Sequence, residues 1–175
     1  MKLGQSLLVG IGIGILINET NELMERRQVF QQARLYADAV RKPLLVVGTP
    51  KQVAWFHHPG GDVTIDIDPN IDSAVPYQIM DVRNMSFSDK QFGASFISHV
   101  LEHLDSIDDA SKAIAELRRV SDKVFVAIPH KTSLLAWLHP RHHLWVLPTG
   151  DGYIIEDRHL DITAAIVTGV GRHYG

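Results

Sequence analysis

The apolar residues recur along the chain with two different periods. Leu44-Leu-Val-Val-Gly48 is a continuous apolar run closed by glycine, as expected of a strand buried on both faces. Residues 62–68 alternate and stop at Pro69, which predicts a second strand. Tyr77-Gln-Ile-Met80, ending at Asp81, reads as a short third strand. Ala94-Ser-Phe-Ile-Ser98 is a fourth, and Lys123-Val-Phe-Val-Ala-Ile-Pro129 a fifth. Between them the period changes to that of a helix. Ile107, Ala110, Ala113 or Ile114, and Leu117 form one stripe over 105–120, with Asp108 and Asp109 early and Arg118 and Arg119 late, as the helix dipole prefers. Upstream, Phe30, Ala33, Ala37 and Val40 mark a helix over about 18–41, with Pro43 as its stop. Shorter helices are predicted over 50–56 and 132–138. Residues 153–156 and 162–170 are predicted to pair as a hairpin, because the four residues between them are too few for a crossover helix.

Strands alternating with helices predict an α/β chain: a Rossmann-like, doubly wound, mostly parallel sheet with a closing antiparallel hairpin. Ligands of such sheets bind beyond the carboxyl ends of the strands. The chain has 175 residues, the size of one domain, and shows no internal repeat or long linker. Seventeen Lys and Arg against twenty Asp and Glu leave a net charge of −3, without the basic surplus of a nucleic-acid binder. The absence of cysteine excludes disulfides, thiolate metal sites and a cysteine nucleophile, and fits a cytoplasmic protein.

The compositional outlier is the start. Residues 3–17 carry no charge, and Gln5 and Ser6 are their only polar side chains. Fifteen helical residues span about 22 Å, short of the ~30 Å hydrocarbon core. Gly10 and Gly14 share a face that can pack closely on another helix. The chain therefore divides into an apolar segment, 1–18, and a main domain, 19–175. The segment is expected to be a membrane anchor, a buried terminal element or a contact between copies, with the protein cytoplasmic and membrane-associated through 3–17 if it inserts. Val9-Gly-Ile-Gly-Ile-Gly lacks the spacing of a dinucleotide loop.

Three acidic positions should converge at the strand ends: Asp66 or Asp68, Asp81, and Glu102. A carboxylate ending the second strand can accept both hydroxyls of a ribose; Asp66 is the candidate, Asp68 reading better as a turn residue. Asp66-Ile-Asp-Pro69, the run from Asp81 to Phe92, and Ser98-His-Val-Leu-Glu-His-Leu104 together resemble class I S-adenosylmethionine-dependent methyltransferases of the type 11 group. Arg118-Arg-Val120 and Ile128-Pro129 continue the resemblance, which covers about 26–129. It implies S-adenosylmethionine as cofactor, bound by Gly48, Asp66, Asp81, Val82 and His99. Asp66 would hold the ribose, Asp81 with Val82 the adenine amino group, and His99 and Val100 would border the methionine or substrate side. It also implies a seven-stranded sheet with one reversed strand. Two features depart from the family. Its glycine-rich loop is reduced to Val46-Val-Gly48-Thr-Pro50, and Phe92-Gly93 replaces the usual Phe-Asp.

The histidines complete the inventory. His99-Val-Leu-Glu-His103 matches the H-x-x-E-H pattern of a zinc protease. The run follows a strand rather than filling a helix, so no metal is expected. His57, His58, His139, His142 and His143 read as surface-loop residues, with a contact to an anionic substrate alongside Arg141 as the alternative. His130, just after the fifth strand, is the candidate substrate contact or proton acceptor. Two functional expectations follow. One is methyl transfer from S-adenosylmethionine to an unknown acceptor. The other is a methyltransferase-like domain without catalysis, serving as a membrane-tethered or assembly component.

Overall fold

The computed structural model describes residues 2–50, 58–149, 152–160 and 163–167. Five strands form a parallel sheet: β1 (Leu44–Val47), β2 (Val63–Asp66), β3 (Gln78–Ile79), β4 (Phe92–Ser98) and β5 (Ser121–Ala127), in the order β3-β2-β1-β4-β5. The central strands β1 and β4 are buried throughout, which explains their unbroken apolar pattern. Alternate side chains enter two cores. Leu44, Val46, Ala94 and Phe96 face α1 (Lys2–Ala39), while Leu45, Val47 and Ile97 share a core with α2 (Ile107–Val120). The Rossmann-like α/β architecture expected from the pattern is the one observed.

Helix α1 runs unbroken across residue 18, so the apolar segment and the amphipathic helix are one element. Its inner stripe is Val29, Phe30, Ala33 and Ala37; the two alanines are fully buried and let the helix lie close to β4. Val40, expected on that stripe, is exposed because the helix has already ended. Arg41 takes a left-handed φ of 55°, Lys42 N–H donates to Ala37 O, and Arg41 N–H to Asp38 O. This pair of bonds is a Schellman stop, which closes the helix before Pro43. The same corner explains Gly93. A Cβ there would lie 2.6 Å from Val40 Cγ2 and 3.1 Å from Ala37 Cα, so the departure from Phe-Asp makes room for the helix end. Among the described residues no helix is long and apolar enough to cross a membrane.

On the opposite face, Ser106 caps α2 by accepting from Asp109 N–H, and Ala110, Ala113, Ile114, Leu117 and Val120 are buried. After β5 come a short helix α3 (Leu134–Leu138) and the strands β6 (Leu144–Pro148), β7 (Gly152–Asp157) and β8 (Thr163–Val167). β7 and β8 pair as predicted, but β6 joins them and the three form a separate antiparallel sheet. The seven-stranded expectation is therefore corrected. Leu144, Val146, Tyr153 and Ile155 belong to the core on the α2 side, and β7 and β8 touch α2, so the apolar face of this sheet covers that core. The predicted 50–56 helix, apart from Pro50, and the end of the last strand lie outside the described residues.

Candidate active site

The strand order reverses at β1, between β2 and β4, and a cavity of about 760 Å3 opens there. Gly48, Thr49, Asp66, Ser98 and His99 line it from the strand ends. Gly48 has a φ of 91°, and a Cβ there would meet Val100 Cγ2 at 3.0 Å, so this surviving glycine is needed both for conformation and for space. Thr49 donates to Asp66 Oδ2 twice, from N–H at 2.9 Å and from Oγ1 at 3.1 Å. Asp68 N–H donates to Asp66 Oδ1 at 3.1 Å. A carboxylate offers about four acceptor directions, so three are committed within the loop.

Asp81 and Val82 are placed elsewhere. The Asp81 carboxylate is held by Arg83 through Nε and Nη2, the shortest bond being 2.7 Å, and Arg83 keeps it below the usual carboxylate range. Val82 is buried in the core on the α2 side. Neither lines the cavity. The i, i+2 spacing of Asp81 and Arg83 was a visible signal for this clamp.

The far wall is helix α1. Glu22 and Arg26 continue the face of Phe30, Ala33 and Ala37 at four-residue spacing, which carries them over the strand ends. That continuation was legible in the sequence but easily passed over, because the stripe changes there from apolar to charged. Glu102 lies in the 3-10 turn Leu101–His103 and is only 1% exposed. Burial pushes its carboxyl up to about 8, against the pull of Arg26. Burial also raises Glu22 and lowers Arg26. His99, with a left-handed φ of 52°, places Nδ1 3.4 Å from Glu102 Oε1. His99 and His103 therefore do not share a helical face, as the position of their run after a strand implied.

A second cavity, about 290 Å3, shares Glu22, Arg26, His99 and Pro129 with the first. His130 lines it, with Nε2 2.8 Å from Glu25 Oε2 and its backbone N–H donating to Glu22 Oε1 at 2.7 Å. Ser133 Oγ donates to Glu19 Oε1 at 2.9 Å. The acidic face of α1 thus fixes the loop after β5.

Two loop histidines are not on the surface. His58, 7% exposed, packs between Phe30 and Phe96, and His142, 6% exposed, stacks on His139. His139, Arg141, His142 and His143 line the larger cavity with His103. His57 lies outside the described residues.

The parallel sheet, with its cavity at the switch point, places the chain among Rossmann-like domains. Residues 47–123, somewhat under half of the chain, match the type 11 family model described as "Methyltransferase domain". Over those residues the chain is similar to that family. Among solved structures it is similar to the PH0226 protein from Pyrococcus horikoshii OT3, at 18% identity over 83% of this chain and 76% of that one, TM-score 0.43. It is also similar to 1,6-didemethyltoxoflavin-N1-methyltransferase of Burkholderia thailandensis, solved with 1,6-didemethyltoxoflavin and S-adenosylhomocysteine. Identity there is 10%, over 95% of this chain and 70% of that one, TM-score 0.41. No curated protein matches the chain.

Proposed function

We propose that the chain binds S-adenosylmethionine in the larger cavity and transfers its methyl group to an acceptor entering from the loop after β5. The observation that carries this reading is Asp66, which ends β2 and faces the cavity beside Gly48 and Thr49. The residues fit the ribose end of the cofactor: one acceptor direction of Asp66 is open, and rotation of Thr49 Oγ1 frees another. The adenine contact assigned by resemblance to Asp81 and Val82 is not offered in this conformation. The bound cofactor supplies an activated methyl on a sulfonium. The protein then has to align the acceptor and receive its proton, which is largely a matter of positioning. With His130 Nε2–H donating to Glu25, Nδ1 is left to take that proton.

A second reading, a methyltransferase-like domain without catalysis, is favoured by the same two carboxylates, since Thr49 holds Asp66 and Arg83 holds Asp81. Calorimetry and thermal melting with S-adenosylmethionine and S-adenosylhomocysteine separate the two. Binding should raise the melting temperature, ligand at 100 times Kd adding about 2.7 kcal/mol. Asp66→Ala should weaken binding at least about tenfold, the loss of one charge-assisted hydrogen bond. No heat and no thermal shift at millimolar ligand would select the noncatalytic reading.

A further inference from the structure

We propose that His103, His139 and His142 form a site for zinc, or for a divalent cation of similar preference, with one coordination position open to the larger cavity. Each of the three offers a ring nitrogen, and these atoms lie within 4.8 Å of one another. Nitrogen ligands sit about 2.1 Å from zinc and so about 3.4 Å apart in a tetrahedron, a closure within reach of small ring movements. The loop 139–143 that supplies two of them ends on an exposed His139.

The hydrogen bonds already set the rings for ligation. His103 Nδ1 is 3.0 Å from Arg141 O, and a carbonyl only accepts, so Nδ1 carries the proton and Nε2 presents a lone pair. His142 bonds the Ala136 carbonyl, while its Nδ1 is buried and has no partner among the described residues. A buried acceptor without a partner calls for an explanation, and a cation between the rings supplies one. His139 Nδ1 accepts from Arg141 N–H at 3.3 Å, a long bond that the ring can give up to bind metal.

The donor set selects the ion. Three imidazoles without a carboxylate suit zinc and its neighbours and not magnesium or calcium. Three protein ligands plus an open position is also the composition of a reactive rather than a sealed zinc site. Arg141 lines the cavity beside the cluster, so the fourth ligand it favours is an anionic oxygen. The expectation of no metal rested on His99 and His103 failing to share a helix. The cluster bypasses that pair by recruiting two histidines from a loop 36 or more residues away. It stands independently of the methyl-transfer reading.

The test uses the full chain without an affinity tag, stripped by chelator, loaded with zinc and desalted. We expect one zinc per chain by elemental analysis, a higher melting temperature with zinc than with chelator, and no such rise with magnesium. Cobalt loading should give the visible absorption of a four-coordinate site. His103→Asn and His142→Asn should each weaken zinc by about 100-fold or more in chelator competition, while the exposed His159→Asn should not. Melting in chelator shows whether each variant folds, and the cobalt spectrum of the unaltered chain decides the matter even if one does not. A chain that retains no stoichiometric zinc, or a double His103→Asn/His142→Asn variant that binds it as before, would overturn the proposal.

Discussion

Replacing Glu102 by glutamine keeps the shape of the side chain and removes its titration. The group is 1% exposed, and burial raises its carboxyl from 4.5 to about 8 despite Arg26 nearby. A shift of that size corresponds to about 5 kcal/mol. Below pH 4.5 folded and unfolded chains are both protonated at this position, so the contribution is fully present. Between 4.5 and 8 the unfolded chain ionises while the folded chain keeps its proton, so stability falls as pH rises, by about 1.4 kcal/mol per unit. Above about 8 both are ionised and the loss is complete. Glu102→Gln has no such dependence. Near pH 5 the two proteins should have similar stability, and by pH 8 the variant should be the more stable by several kcal/mol. Urea unfolding at pH 5, 6, 7 and 8 measures the gap, and because other titrating groups are common to both chains, they cancel. A gap that stays flat, or one that turns against the variant as pH rises, refutes the reasoning and means that Glu102 is ionised against Arg26 in the folded state.

Other outcomes follow from the backbone and the packing. Gly93→Ala should cost about 1–3 kcal/mol in urea unfolding, since its Cβ meets backbone and Val40 below contact distance; an unchanged midpoint would show that the α1–β4 corner gives way freely. Gly48→Ala should cost about 1–2 kcal/mol for the left-handed backbone alone, with further crowding against Val100 that should also weaken any cofactor binding. A chain starting at Asn18 should stay folded, because among the described residues the side chains that join α1 to the sheet and to the loop after β5 begin there. Circular dichroism and melting check this, and collapse of the shortened chain would place residues before 18 in the core.

The sequence by itself determined the local elements and the place where they deliver chemistry. Period-two and period-3.6 patterns are properties of neighbouring residues, so β1, β4, β5 and α2 could be read directly, and their alternation required a parallel sheet with a site at its carboxyl ends. Gly48, Asp66 and His99 meet at that site for the same reason. Tertiary structure decided what depends on residues far apart in the chain. Val40 leaves its stripe because the Schellman turn ends the helix first, and Gly93 is required only because that helix end lies on β4. The last three strands form their own sheet because their apolar face covers the core beside α2, a choice that strand pattern alone does not encode. His142 reads as a loop residue and is buried, and only the packing of its loop against the turn after β4 brings its ring to His103. Spacing along the chain fixes which face a side chain occupies; the partner it meets there is set by long-range packing, which sequence period does not carry.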